Sequence, residues 1–134
     1  MATHHTHFGF TKLLVHDLER SAAFYTSVCG LVETGRVDAV IGGRQISEIM
    51  FAPTGEGGST FVLLKFLGAP SPTKDEVILG FITDSVDAFI DRVKSAGGAL
   101  VEAPYDNVAH GVKVAFVTDG EGHLIEVVEL LSAG

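Results

Sequence analysis

The sequence predicts an α+β fold in which two tandem βαβββ units form an eight-stranded curved sheet around a concave cavity. Helical apolar spacing occurs twice, over residues 17–30 and 84–97, and the two segments are equally long. One strand-like run precedes each helix and three such runs follow it. A unit this small cannot bury its apolar face alone, so the two units are expected to pair as an internal repeat.

In the first unit, Asp17 suits the N-cap of the helix and Gly30 its end. Its strands are predicted at residues 8–15, 31–41, 45–52 and 60–66. The stretch 67–75 contains Gly68, Pro70 and Pro72 and shows no apolar period, which is typical of a linker. The first unit therefore covers about 8–66.

In the second unit, Asp84 is the expected N-cap of the helix, and Ala96-Gly97-Gly98 ends it. Its strands are predicted at residues 76–83, 99–102, 113–118 and 123–131. The second unit covers about 76–131. At 134 residues, the chain is expected to be a single domain over 1–134.

The composition excludes several classes of protein. A net charge of −8 disfavours a nucleic-acid partner, since binding to phosphates needs a basic surface. No apolar run approaches the roughly 20 residues that span a bilayer, so no membrane partner is expected. The first residues lack a signal-peptide pattern, and Cys29 is the single cysteine, which together predict a cytoplasmic location. A small-molecule ligand and a protein partner remain open.

The last strand contains the first candidate site residue. A turn with the sequence Asp-Gly-Glu-Gly leads into an apolar run in which Glu126 stands between Ile125 and Val127. Side chains alternate along a strand, so Glu126 shares a face with Leu124 and Val128. Such a carboxylate is solvated, meets a cation or lies in a cavity. Solvation is the simpler interpretation, and the rest of the chain favours a functional one.

Two further residues could take part in acid–base chemistry. Lys12 shares a strand face with Phe10 and Leu14 and could pair with Glu126, bind an anion, act as a base or extend into water. His110 precedes the seventh strand, and imidazole titrates near neutral pH. A histidine in a loop is more often simply exposed.

Two stretches resemble the vicinal oxygen chelate superfamily, which includes glyoxalase I, extradiol dioxygenases, methylmalonyl-CoA epimerase, and fosfomycin- and bleomycin-resistance proteins. Residues 15–25 read Val-His-Asp-Leu-Glu-Arg-Ser-Ala-Ala-Phe-Tyr, and Gly30-Leu31 follows. Residues 116–126 read Phe-Val-Thr-Asp-Gly-Glu-Gly-His-Leu-Ile-Glu and resemble the closing strand pair of the family. The resemblance implies the paired βαβββ fold, but this scaffold hosts many chemistries.

The resemblance also implies where a divalent metal would bind on the concave face. Matched to glyoxalase I, the four ligand positions fall on Phe10, on Leu63 or Leu64, on Ile78 and on Glu126. Glu126 is the only retained ligand, and one carboxylate does not hold a catalytic metal. No cofactor is therefore expected. A divalent metal would need a rebuilt site, for example with the N-terminal histidines.

The preferred hypothesis is a protein that binds a small apolar or aromatic molecule in the cavity without the usual metal. The residues expected to contact that ligand are Phe10, Leu14, Leu63, Ile78 and Lys113. The alternative is a lyase or isomerase of the glyoxalase type, with a rebuilt metal site or with Lys12, Glu126 and His110 as acid–base groups. A regulatory module with a vestigial cavity is a third, weaker hypothesis. The resemblance also implies a homodimer.

Overall fold

The computed structural model describes residues 10–41, 43–55, 58–68, 70 and 77–131, and it contains both predicted βαβββ units. The elements are β1 (Phe10–Leu14), α1 (Leu18–Cys29), β2 (Glu33–Ile41), β3 (Arg44–Phe51), β4 (Thr60–Phe66), β5 (Ile78–Ile82), α2 (Val86–Ser95), β6 (Ala99–Asn107), a 3₁₀ turn (Val108–His110), β7 (Val112–Thr118) and β8 (Leu124–Leu130). Most of the predicted linker at 67–75 lies outside the described residues.

The ends of α1 confirm the prediction, and the start of α2 corrects it. The Asp17 side chain accepts a hydrogen bond from the Arg20 backbone N–H, and Gly30 ends α1 with a left-handed φ of 68°. In α2 the N-cap is Ser85 and not Asp84: the Ser85 hydroxyl accepts from the Ala88 backbone N–H at 3.1 Å. Both residue types cap helices well, and Ser85 occupies the position from which its oxygen reaches that N–H.

The predicted end of β6 at Glu102 is also wrong, because the strand continues to Asn107. This longer strand contains Pro104. However, β6 is an edge strand, where a proline costs no ladder hydrogen bond if its nitrogen faces solvent. Its pairing with β7 shifts register on both sides of Glu102, which lets the strand pass the proline.

The eight strands form two four-stranded sheets instead of one continuous sheet. Their strand orders are β1-β4-β3-β2 and β5-β8-β7-β6, and no strand pairing joins the two among the described residues. In each sheet the first strand of the unit lies parallel to its last strand, and the other pairs are antiparallel. The two units are therefore equivalent in topology, as the repeat predicted.

A hydrophobic core to which both units contribute lies between the two sheets. Tyr25 and Val28 of α1 and Phe89 and Val93 of α2 are buried in it, and the two helices contact each other. One face of each sheet, called here the inner face, packs on this core. The opposite, outer face exposes apolar side chains on β1 and β5. No described helix is long and apolar enough to cross a membrane.

Candidate functional site

A cavity of about 720 Å³ lies between the two units along β5, and it is called the β5 cleft here. Thr11 and Phe61 from the first sheet form one wall, and Ile78, Gly80 and Phe81 of β5 form the other. The volume is within the range of pockets that hold small molecules, and several of the lining side chains are apolar. The cleft is therefore a candidate ligand site.

Cys29 also lines the β5 cleft, at the end of α1. Burial raises the pKa of the Cys29 thiol to about 12, although Arg92 nearby opposes this shift. The thiolate is the nucleophilic form, so Cys29 stays a protonated, unreactive thiol at neutral pH.

Glu126 lies on the outer face of the second sheet, close to the cleft. Its neighbours in register are Gly80 on β5 and Phe116 on β7. A side-chain carbon added at Gly80 would meet no atom within 4 Å, so open space adjoins Glu126 on the outer face. Glu126 is half-buried, and within the described residues no side chain forms an ion pair or hydrogen bond with it. Its carboxylate is available to a ligand.

Lys12 pairs with a residue that sequence reasoning did not consider. Its Nζ donates to Glu48 Oε2 at 3.0 Å, on the outer face of the first sheet. The ammonium also lies 5.7 Å from the centre of the Phe10 ring. Glu48 lies on β3, next to β4, so this pair is formed within one sheet. The pairing of Lys12 with Glu126, which the sequence left open, is not formed.

Leu63 and Lys113 were expected to contact the ligand; both lie on inner faces, and neither is among the residues that line the β5 cleft. Leu63 is fully buried in the core, while Leu64 is the residue of β4 that shares the outer face with Leu14. Lys113 Nζ donates to Asp87 Oδ2 of α2 at 3.1 Å, and this hydrogen bond raises the pKa of Lys113. For Leu63, the sequence left the strand register uncertain by one residue, and a shift of one residue exchanges the two faces of a strand.

The remaining expected site residues are exposed. Phe10, Leu14 and Ile78 lie on the outer faces and are 57%, 38% and 60% exposed, respectively. His110 lies in the 3₁₀ turn before β7, at the far end of that strand from Phe116 and Glu126. The three candidate acid–base residues, Lys12, Glu126 and His110, therefore form no contact with one another in the described structure.

The residues at the family's metal positions do not fit a metal. Phe10, Leu64 and Ile78 offer hydrocarbon only, and Glu126 offers one carboxylate, whereas such metals bind several nitrogen or oxygen ligands. In the parts of the chain that the structure describes, no three His, Cys, Asp or Glu side chains converge. The N-terminal histidines lie outside the described residues.

A buried polar network, which sequence reasoning missed, surrounds Asp119 in the turn between β7 and β8. Asp119 Oδ2 accepts hydrogen bonds from the Tyr25 hydroxyl and from His123 Nδ1, both at 2.7 Å. Asp119 Oδ1 accepts from the backbone N–H groups of Glu121 and His123, both at 2.9 Å. The three bonds within the turn hold it closed, and the bond from Tyr25 fastens it to α1. Tyr25 on an apolar helix face was the available signal, since a buried tyrosine hydroxyl needs a partner.

The charge states in this network support one another. The hydrogen bond to Asp119 raises the pKa of His123, against the effect of burial, and the Leu14 carbonyl adds to the rise. Burial alone would raise the pKa of Asp119, but hydrogen bonds from His123 and Tyr25 lower it overall. Burial and the neighbouring Asp119 carboxylate raise the pKa of Tyr25. An ionised Asp119 beside a protonated His123 follows at weakly acidic pH.

Glu121, two residues further along the same turn, caps the start of α1. Its carboxylate accepts from the backbone N–H groups of His16 and Asp17 at 2.8 and 2.7 Å and from the Ser21 hydroxyl at 3.3 Å. A negative charge at a helix N-terminus is favourable. The turn of the second unit therefore fixes the helix of the first unit, which forms one side of the β5 cleft.

Comparison with known proteins identifies the family. The sequence profile described as the Glyoxalase/Bleomycin resistance protein/Dioxygenase superfamily matches residues 4–127. The chain therefore belongs to this superfamily, as its two signature stretches indicated.

Individual relatives agree with the fold. A glyoxalase family protein from Bacillus cereus has a similar structure, with 21% identity, a TM-score of 0.80, and coverage of 98% of this chain and 99% of that one. A glyoxalase/bleomycin resistance protein/dioxygenase family enzyme from Burkholderia phytofirmans has 19% identity, a TM-score of 0.70, and coverage of 92% and 98%. An uncharacterized protein of Mycolicibacterium smegmatis is 32% identical over 72 residues, which are 54% of this chain and 60% of that relative.

Proposed function

We propose that this protein binds a small organic molecule with an apolar or aromatic body in the β5 cleft, without the usual metal of the superfamily. The observation that carries this proposal is a cleft of suitable volume whose walls include the apolar side chains of Phe61, Ile78 and Phe81. The family's metal positions offer only hydrocarbon at Phe10, Leu64 and Ile78. A ligand that buries apolar surface on such walls gains roughly 25 cal/mol per Å². Small polar acids, which have little such surface, are expected to bind poorly.

Filling the open space at Gly80 is expected to block this ligand. Gly80 lines the cleft, a side-chain carbon added there meets no protein atom within 4 Å, and β-branched residues suit strands. Gly80→Val should therefore weaken binding of a neutral naphthalene probe about tenfold or more, because a clash displaces the probe from a well-packed site. Isothermal titration calorimetry on the two proteins measures the change.

Gly120→Ala is the matched control, since a side-chain carbon there also meets no atom within 4 Å but lies in the turn after β7. It should leave probe binding unchanged. Treatment with a chelator should also leave binding unchanged. Equal binding by the Gly80→Val variant, or loss of binding on chelation, would contradict the proposal.

We also infer a homodimer that covers the apolar residues of the two first strands. Phe10 on β1 and Ile82 on β5 are 57% and 76% exposed, and each strand is at the edge of its sheet. Exposed apolar patches on unpaired edge strands favour association. Because the two units are equivalent, a two-fold axis can place β1 of one copy beside β5 of another.

Phe10→Asp is expected to raise the dissociation constant of this dimer about a hundredfold or more, since each substitution acts twice in a symmetric interface. Sedimentation velocity should then show a shift from about twice the chain mass of 14.1 kDa towards a single chain. Val32→Asp serves as the control, because Val32 is 65% exposed but lies between α1 and β2. A wild-type protein that sediments as a monomer at high concentration would exclude the dimer.

A further inference from the structure

A second cavity, of about 320 Å³, adjoins the β5 cleft at the end of α1 and is called the Arg92 pocket here. Cys29, Phe81 and Ile82 line both cavities, so the second cavity continues the first. Phe89 and Arg92 of α2 line the Arg92 pocket but not the β5 cleft. A ligand whose body lies in the β5 cleft can therefore extend towards α2.

The Arg92 guanidinium is held in place at this pocket by two contacts. Its Nε donates a hydrogen bond to the Val28 carbonyl near the end of α1, at 2.9 Å. Its Cζ lies 5.5 Å from the centre of the Phe89 ring, within the range of a cation–π contact. Among the described residues, none accepts a hydrogen bond from its two terminal nitrogens or forms an ion pair with them. The terminal N–H groups are therefore available to a ligand.

The positive charge of Arg92 is not compensated within the two cavities. Arg92 is the only ionised side chain among the described residues that line either of them. This charge also opposes the rise that burial causes in the pKa of Cys29, so it acts on a residue that both cavities share. A single positive charge in a cavity that is otherwise uncharged and largely apolar favours a ligand with one anionic group.

Thr83 supplies a second hydrogen-bond donor in the wall of the Arg92 pocket. Its hydroxyl oxygen accepts from the Ser85 backbone N–H at 3.5 Å, and no described residue accepts from its O–H. Ser27 also lines the pocket, but its hydroxyl already donates to the Phe24 carbonyl at 3.2 Å. Arg92 and Thr83 are therefore the side chains of this pocket that can donate to an anion.

We propose that the ligand of the β5 cleft is a carboxylic acid with an apolar or aromatic body, whose carboxylate binds Arg92 and Thr83 in the Arg92 pocket. This inference rests on the binding function proposed above and names the class of the ligand. The guanidinium presents its terminal N–H groups side by side, and this fork matches the two oxygens of a carboxylate. The Phe81 and Phe89 rings lie 6.2 Å apart, so an aromatic wall joins the anion site to the cleft.

The test compares 2-naphthylacetate with its neutral amide, 2-naphthylacetamide, by calorimetry on the full chain. The acid should bind about tenfold more tightly, since hydrogen bonds to a charged group contribute at least that factor and the amide has no charge. Arg92→Gln should lower the affinity of the acid to that of the amide and leave amide binding unchanged. Arg92→Lys keeps the charge without the fork and should retain only part of the preference.

Thr83→Val tests the same site without disturbing the contact of Arg92 with α1, and circular dichroism checks that each variant is folded. This variant should weaken binding of the acid about threefold, as the loss of one hydrogen bond predicts, and leave amide binding unchanged. Unchanged binding of the acid by both Thr83→Val and Arg92→Gln would overturn the inference, because the carboxylate would then bind elsewhere.

Lys94→Gln is the matched control, because it removes the same charge from an exposed residue of α2 that lines neither cavity. It should keep the full preference for the acid. Equal binding of the acid and the amide to the wild-type protein would overturn this inference and leave the proposed function standing. Failure of both probes to bind would overturn the proposed function itself.

Discussion

Replacing Asp119 with alanine is expected to lower the free energy of unfolding by about 3–5 kcal/mol, because it removes the charged partner of the buried His123 side chain. Asp119 and His123 are 4% and 2% exposed, so water does not replace the lost carboxylate. The Tyr25 hydroxyl and the two backbone N–H groups that Asp119 binds lose their acceptor as well. Urea denaturation followed by circular dichroism measures the change.

Two further variants show how much of this loss of stability comes from one hydrogen bond and how much from removing any carboxylate. Tyr25→Phe removes a single hydrogen bond at 2.7 Å and should cost about 1 kcal/mol. Asp106→Ala removes an exposed carboxylate of β6 and should change the unfolding free energy by less than about 0.5 kcal/mol. If Asp119→Ala were as mild as Asp106→Ala, the network would not hold the turn on α1.

The dependence of this effect on pH follows from the pKa shifts in the network. The pKa of His123 is raised by folding, so its stabilisation is complete below the ordinary value of 6.5 and is lost as pH rises through the folded pKa. The pKa of Asp119 is lowered, so its stabilisation is present above the ordinary value of 3.8 and is lost as pH falls through the folded pKa. The stability difference between wild type and Asp119→Asn should therefore be largest between these two values. A difference that is constant from acidic to alkaline pH would contradict this charge assignment.

The repeated fold could be predicted from the sequence because local signals and apolar periodicity agree in both units. Asp17 and Gly30 define α1 through the backbone geometry that caps require, and such signals depend on a few neighbouring residues only. β6 and the start of α2 deviate because an edge strand tolerates Pro104 and because two good capping residues are adjacent.

The site could be predicted only in part, because it depends on register and on contacts between distant residues. Phe10 and Ile78 lie on outer faces, whereas Leu63 and Lys113 lie on inner faces, and a shift of one residue is enough to exchange the faces of a strand. Lys12 and Glu48 are 36 positions apart in the sequence, so no local pattern predicts that they pair. The division of the eight strands into two sheets also depends on tertiary packing, which the periodicity of a single strand does not predict.

Gly98→Ala is expected to destabilise the protein by about 3 kcal/mol, at the upper end of the cost of overpacking. A side-chain carbon at Gly98 would overlap the Thr118 backbone carbonyl and lie 2.7 Å from Val93 Cγ1 and 3.0 Å from Phe24 Cε2. The Thr118 carbonyl belongs to the strand ladder and cannot turn away as a flexible side chain could. Thermal denaturation, with Gly120→Ala as a control that meets open space, measures the cost.

The position of Gly98 gives this substitution a consequence for the site. Phe24 belongs to α1 of the first unit, and Val93 and Thr118 belong to the second, so the added methyl acts as a wedge between the units. Since the β5 cleft is also bounded by both units, relief of the clash should alter its width and weaken binding of the neutral probe. If the Gly98→Ala variant had normal stability and normal binding, the contact between the two units would accommodate the added methyl group at no cost. Packing between the helices would then not determine the shape of the cleft.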